Sequence, residues 1–189
     1  MRDTANNTLS DSEIIGRIRD ENSSKYFGVL YKRYYGKVLD RCYGLVKNRK
    51  TAEELAEDIF SKVFEKLLTF KQISLFSTWL YSITYNHCID YLREMKKLHY
   101  PEWNQEHEIP EIIDETEEIT EQINYDNLQA VMDLIHPEEK ALLLMKYKEG
   151  LSMKQIGTSL RISEDAAKMR LKRARARVLY MYTQKYLHE

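Results

Sequence analysis

The chain has 189 residues, 43% of them hydrophobic and 31% charged, with only six Gly and three Pro. That length accommodates one domain or two small ones, and such sparse turn punctuation favours long helices over a β-sandwich, which needs a turn signal every ~8–12 residues. The formal net charge of −1 hides an asymmetry: residues 1–97 carry 17 bases and 13 acids, residues 98–139 carry 13 acids and no Lys or Arg, and residues 140–189 carry 12 bases and 4 acids. Two basic blocks around an acidic one point to a nucleic-acid partner.

Four helices are predicted before residue 98. The first, over residues 10–20, opens on Ser10 with Glu13 three positions on, a capping-box signature. The second runs from Ser23 or Ser24 to Val46, with Phe27, Leu30, Tyr31, Tyr34, Val38 and Leu45 at helical spacing. A third covers residues 51–70 and opens on a second such signature, Thr51 and Glu54. After a polar loop around residues 71–74, the fourth covers residues 77–97. All five Phe and eight of the fourteen Tyr fall in residues 26–91, so this half should have an aromatic-rich core.

Residues 98–124 hold two of the three prolines and nine acids and read as an acidic linker, with one short helical turn around residues 112–119. Beyond it, helices are expected over residues 125–135 and 137–149, with Pro137 in the first turn of the second and Gly150 ending it. Residues 152–160 form the next helix, where Ser152 and Gln155 make a capping box. A three-residue connection, Arg161-Ile162-Ser163, leads to a last helix from Ser163 onward. Two helices joined so tightly have the outline of a helix-turn-helix without a wing. Ile156, Leu160, Ile162, Ala167, Leu171, Ala174 and Val178 share its inward face, and Gly157 and Ala167 are small enough to let the helices approach. The fold class is therefore all-α: two small helical domains, 1–97 and 125–189, joined by the linker 98–124.

The last helix carries the chemistry. Lys168, Met169, Lys172 and Arg173 fall on its outward side with Arg170, Arg175 and Arg177 nearby, and six of the ten residues 168–177 are basic. No acid interrupts the run, so the cations repel one another, while Glu164 and Asp165 sit in the first turn where the helix dipole favours them. Phosphate binding accounts for such a helix better than a merely solvated face does. In the fourth helix, Trp79, Ile83, Asn86, Asp90 and Arg93 lie within ~40° of one line, a narrow stripe on an otherwise apolar and aromatic cylinder.

Enzymatic signals are missing: no Gly-rich phosphate loop, no nucleophile beside a base, and no Cys/His spacing of a metal site. No cofactor is expected. Cys42 and Cys88 read as buried small hydrophobes rather than a disulfide. No run approaches ~18 apolar residues and residues 1–12 lack an apolar signal core, so no membrane insertion and a cytoplasmic location are expected.

Residues 151–175 read L-S-x-x-x-I-x-x-x-L-x-I-S-x-x-x-x-K-x-R-L-x-R-A-R, which resembles region 4.2 of the extracytoplasmic-function sigma factors, group IV of the sigma-70 superfamily. His136-Pro137-Glu138 followed by Leu142-Leu143-Leu144-x-Lys146-Tyr147 resembles the preceding region 4.1 helix. W-L-Y-x-I-x-x-N-x-x-I-D-Y-L-R from Trp79 to Arg93 is similar to regions 2.3 and 2.4, and Ala52 to Val63 to region 2.2. The resemblance implies a non-enzymatic alternative sigma factor whose partners are RNA polymerase core, promoter DNA and an anti-sigma factor. It implies core contacts at Glu54, Leu55, Glu57, Asp58 and Ile59, and −10 contacts at Trp79, Tyr85, Asn86, Asp90, Arg93, Lys96 and Lys97. It implies −35 contacts at Lys168, Met169, Arg170, Lys172, Arg173 and Arg175. The alternative, a helix-turn-helix regulator working without core polymerase, leaves the first half of the chain unexplained.

Overall fold

A computed structural model describes residues 9–21, 25–71, 73–95 and 123–187, which form eight α-helices and one π-helical turn with no strand among the described residues. Their contacts divide the chain into two compact units, Met1–Tyr91 and Leu92–Glu189, with the division falling near the end of the fourth helix. The helical turn expected at residues 112–119 lies outside the described residues, as do Ser23, Ser24, Lys96 and Lys97.

In the first unit α1 (Asp11–Glu21), α2 (Phe27–Val46), α3 (Arg49–Leu67) and α4 (Phe76–Glu94) follow one another. The capping box forms: the Ser10 amide donates to Glu13 Oε2 at 2.7 Å and the Glu13 amide donates to Ser10 Oγ at 3.3 Å. α3 begins two residues before the expected start because Asn48, not Thr51, is the cap; its Oδ1 accepts from the Thr51 amide at 3.0 Å. The core interleaves aliphatic and aromatic side chains from every helix, among them Ile14, Leu30, Val38, Val63, Leu80 and Ile89. Tyr34 edges against Phe76 at 5.4 Å and Phe70 against Phe76 at 6.1 Å, so the aromatic core is real. Phe64, however, is largely exposed and Phe27 half-buried. Asp11 ties α1 to α2 by accepting from Arg33 and from the Tyr34 hydroxyl, both at 2.5 Å.

In the second unit α5 spans Tyr125–Met132 and stops short of the expected end at Ile135. α6 (Pro137–Leu143) passes into a π-helical turn, Leu144–Lys148, closed by Gly150 at φ +68°, a conformation that suits glycine. α7 (Met153–Leu160) and α8 (Glu164–Tyr186) complete it. Ile135, Leu143 and Ala174 centre one apolar cluster, with Met132, Leu171, Val178 and Met181 packed against it.

Candidate nucleic-acid interface

The turn between α7 and α8 is set by three local devices. The Gln155 amide donates to Ser152 Oγ at 3.2 Å while the Ser152 amide donates to Gln155 Oε1 at 2.8 Å, so the capping box at α7 is complete. Arg161 takes the left-handed conformation (φ +57°), which lets the Ile162 amide turn back and donate to the Gly157 carbonyl at 2.9 Å. Ser163 then caps α8, accepting from the Ala166 amide at 3.1 Å. A Cβ on Gly157 would meet the Ile162 carbonyl oxygen at 2.9 Å, so only glycine admits this close crossing. Ile156, Leu160, Ala167 and Ala174 are buried, as the inward face requires.

α8 buries only Ala167, Ala174 and Tyr182 and so projects most of its surface. Met169 is 51% exposed, Lys172 and Arg175 are exposed, and Arg173 is half-buried. Two expectations need correction. Acids do pair with this helix: Lys168 Nζ lies 3.0 Å from Glu164 and 3.4 Å from Asp165, one turn back. Arg170, expected at the DNA, turns toward α6, where its Nη1 lies 3.2 Å from Glu138 Oε2. Arg177 Nη1 likewise lies 3.5 Å from Glu139 Oε2. Both carboxylates are buried, at 4% and 1% exposure. Residues 170 and 177 are seven apart, two helical turns, so they share a flank. No local pattern reveals their partners, which sit more than thirty residues upstream.

α4 presents its stripe as expected: Trp79, Ile83, Asn86, Asp90 and Arg93 are half-buried while Leu80, Tyr81, Cys88, Ile89 and Leu92 are buried. Tyr85 is the exception among the proposed −10 contacts, because it is fully buried on the opposite side and has no face left for a base. Trp79 stacks on Phe70 with ring centroids 4.7 Å apart, which fixes the indole plane. Asn86 Nδ2 donates to Asp90 Oδ2 at 3.5 Å, and Asn86 Oδ1 accepts nothing among the described residues. In the loop before α4, within residues 71–77, which the resemblance also assigns to the −10 element, Ile73 and Leu75 are 88% and 75% exposed.

On α3, Glu54, Glu57 and Asp58 are exposed, but Leu55 and Ile59 are buried in the helical core and offer no surface. The apolar neighbours of the acidic stripe are instead Phe64 and Leu68, which continue the line Glu57–Ser61–Phe64–Leu68 at helical spacing and are exposed. Glu57 Oε1 accepts from the Tyr31 hydroxyl at 2.8 Å; desolvation first, then this hydrogen bond, pushes the Tyr31 pKa up to about 12. Cys42 and Cys88 are both free and buried.

Fold and site thus define a two-unit helical protein with a closely crossed helix-turn-helix in its second half. Residues 30–97 match the family model of sigma-70 region 2 and residues 125–178 that of sigma-70 region 4. The chain is 27% identical over 161 residues to the ECF RNA polymerase sigma factor SigE of Mycolicibacterium smegmatis, covering 82% of this chain and 61% of that one. It is 22% identical over 147 residues to the ECF RNA polymerase sigma factor SigX of Bacillus subtilis, covering 75% of this chain and 76% of that one. Among solved structures, the sigma factor RpoE in complex with the anti-sigma factor NepR from Bartonella quintana aligns with a TM-score of 0.57 at 14% identity, over 86% of this chain and 99% of that one, a likeness of fold. The chain belongs to the sigma-70 family as an extracytoplasmic-function sigma factor, a family of non-enzymatic transcription proteins. The first of these relatives is longer: the chain spans about three fifths of its length. No helix among the described residues is long and apolar enough to cross a membrane.

Proposed function

We propose that the chain binds RNA polymerase core and directs it to promoters, acting through binding alone, with no catalytic group, in the cytoplasm where core polymerase works. The domains run 1–97 (core and −10 element), 98–124 (acidic linker) and 125–189 (−35 element). The observation that carries this reading is the outward cationic face of α8 behind a closely crossed helix-turn-helix, in a chain whose other unit matches region 2.

α8 enters the major groove with Lys168, Met169, Lys172, Arg173 and Arg175 toward the duplex. α4 and the loop before it capture the −10 strand. Flipping a base out costs a few kcal/mol, and stacking on an aromatic face offsets about 1–3 kcal/mol per base. Trp79, held flat by Phe70, supplies a stacking edge, Ile73 and Leu75 supply apolar contact, and Asn86, half-buried on the same stripe as Trp79, offers its amide to a base edge. Asp90 holds Asn86, Arg93 is ion-paired with Glu138, and Lys96 and Lys97 meet the phosphates. On α3, Glu54, Glu57 and Asp58 with Phe64 and Leu68 form the core-docking face. The linker, with nine acids over residues 98–124, occupies a basic channel of core polymerase until RNA arrives. An anti-sigma factor, the kind of partner bound to the Bartonella RpoE, completes the partner set.

Run-off transcription with core polymerase plus this protein tests the reading. Discrete start sites that require the protein are expected. Failure to bind core polymerase at all, with DNA binding intact, would return the chain to the plain regulators.

A further inference from the structure

The six basic residues of positions 168–177 do not form one set. Turning 100° per residue, Arg170 and Arg177 fall on one line, the half-buried Arg173 lies about 50° from it, and Lys168, Lys172 and Arg175 fall within about 30° of the opposite line. The first pair meets the two carboxylates buried in the first turn of α6: Glu138 Oε2 at 3.2 Å from Arg170 and Glu139 Oε2 at 3.5 Å from Arg177. α6 is itself fixed in place, with His136 Nδ1 accepting from the Glu138 amide at 3.3 Å and Pro137 in the first turn.

A buried carboxylate is an expensive way to hold two helices together, since desolvation opposes the attraction of the pair. Glu139 shows this: its carboxyl is almost fully buried, and that burial raises its pKa against the pull of Arg177. Apolar residues already pack α5, α6 and α8 together through Met132, Leu143, Ala174 and Leu171. Adhesion therefore does not require the acids. What they add is angular: Glu138 receives Arg93 at Oε1 and Arg170 at Oε2, Glu139 receives Arg177, and rotating α8 by one residue would break both α8 pairs and leave buried Glu139 without its arginine.

We propose that Glu138 and Glu139 are positioning residues for −35 recognition, which hold Arg170 and Arg177 away from the duplex and so fix Lys168, Lys172 and Arg175 as the face that meets it. The inference rests on the reading of α8 as the −35 helix. It sorts the cations by role. Lys172 and Arg175 release counterions when they meet phosphates; Arg170 and Arg177 are neutralised before DNA arrives.

The test uses the full chain, a duplex enriched by that chain from a randomised pool, and a scrambled duplex of the same length, titrated by fluorescence anisotropy over a range of salt. Glu139→Gln is expected to lower the ratio of specific to scrambled affinity roughly tenfold, the size of one lost base contact. The slope of log affinity against log salt should stay at the wild-type value, and the melting temperature should not fall. Glu138→Gln and Arg170→Lys should lose discrimination in the same way, and the exchange Glu139→Arg with Arg177→Glu should restore part of it. By contrast, Lys172→Ala should reduce the slope by about 0.9. An unchanged affinity ratio in Glu139→Gln overturns the proposal, and so does a slope that falls by about 0.9 in Arg170→Ala, which would make that arginine a phosphate contact. If the wild-type chain enriches no duplex, the −35 reading itself fails, before any variant is compared.

Discussion

The two units misdirect a sequence reader in opposite ways. In the first unit, apolar residues placed at the surface by motif, Leu55, Ile59 and Tyr85, belong to the core, and the docking candidates are the exposed Phe64, Leu68, Ile73 and Leu75. In the second unit, charged residues placed at the surface by composition are at the surface or near it, but some are already engaged: Lys168 by its own helix, Arg170 and Arg177 by α6. A motif says which residues recur together, not which face each occupies. A charge count says how many cations there are, not how many have neighbours to answer them.

That contrast breaks most sharply at Ile59. As a fully buried α3 residue, Ile59→Ala should destabilise the chain by about 2–5 kcal/mol, measured by chemical denaturation. Leu68→Ala, at an exposed position just past the end of the same helix, should leave stability within about 0.5 kcal/mol and weaken core polymerase binding instead. The reverse result, a stable Ile59→Ala that no longer binds core, would restore Ile59 to the interface. In the second unit the matching test is Gly157→Val. The added side chain meets the Ile162 carbonyl and should cost about 1–3 kcal/mol while leaving the first unit's fold intact, as read from amide exchange of α3.

Capping sharpens the comparison at smaller scale. Asn48→Ala should cost about 1 kcal/mol because Asn48 accepts from the Thr51 amide, whereas Thr51→Ala should cost far less. Equal losses at both positions would contradict the observed start of α3. At α7, where the capping box lies where the sequence marks it, Ser152→Ala should cost a similar ~1 kcal/mol.

How much was legible follows from the range of each interaction. Caps at Ser10, Ser152 and Ser163, the glycine at 150 and the stripe on α4 depend on residues within a turn of one another, so spacing alone reveals them. The start of α3 misled because Asn48 and Thr51 are both good caps and only the folded backbone chooses between them. The burial of Tyr85 lies on the far side of the stripe that includes Asn86, a matter of one residue's rotation. The partners of Arg170 and Arg177 were beyond reach, because they sit on α6, more than thirty residues away in sequence, and meet α8 only in the folded chain.

The smallest effect concerns Glu139 and acid. Burial raises its folded-state pKa above the ordinary 4.5, and the opposing pull of Arg177 and the His136 backbone hydrogen bond does not cancel that rise. Well above the raised value, Glu139 is charged both folded and unfolded, and the folded state alone bears the desolvation. As pH falls through the raised value toward 4.5, the folded chain takes up the proton first, so this group's contribution to stability grows and is complete below 4.5. Glu139→Gln should therefore be at least as stable as wild type at neutral pH, with an advantage that shrinks as the pH is lowered through that window. Denaturation of both proteins at a series of pH values checks it. An advantage that grows on acidification would mean Arg177 dominates and holds the carboxyl below its usual range. The same variant loses DNA discrimination if Glu139 aims α8, so greater stability with poorer recognition is the combined signature that separates an aiming residue from an ordinary buried ion pair.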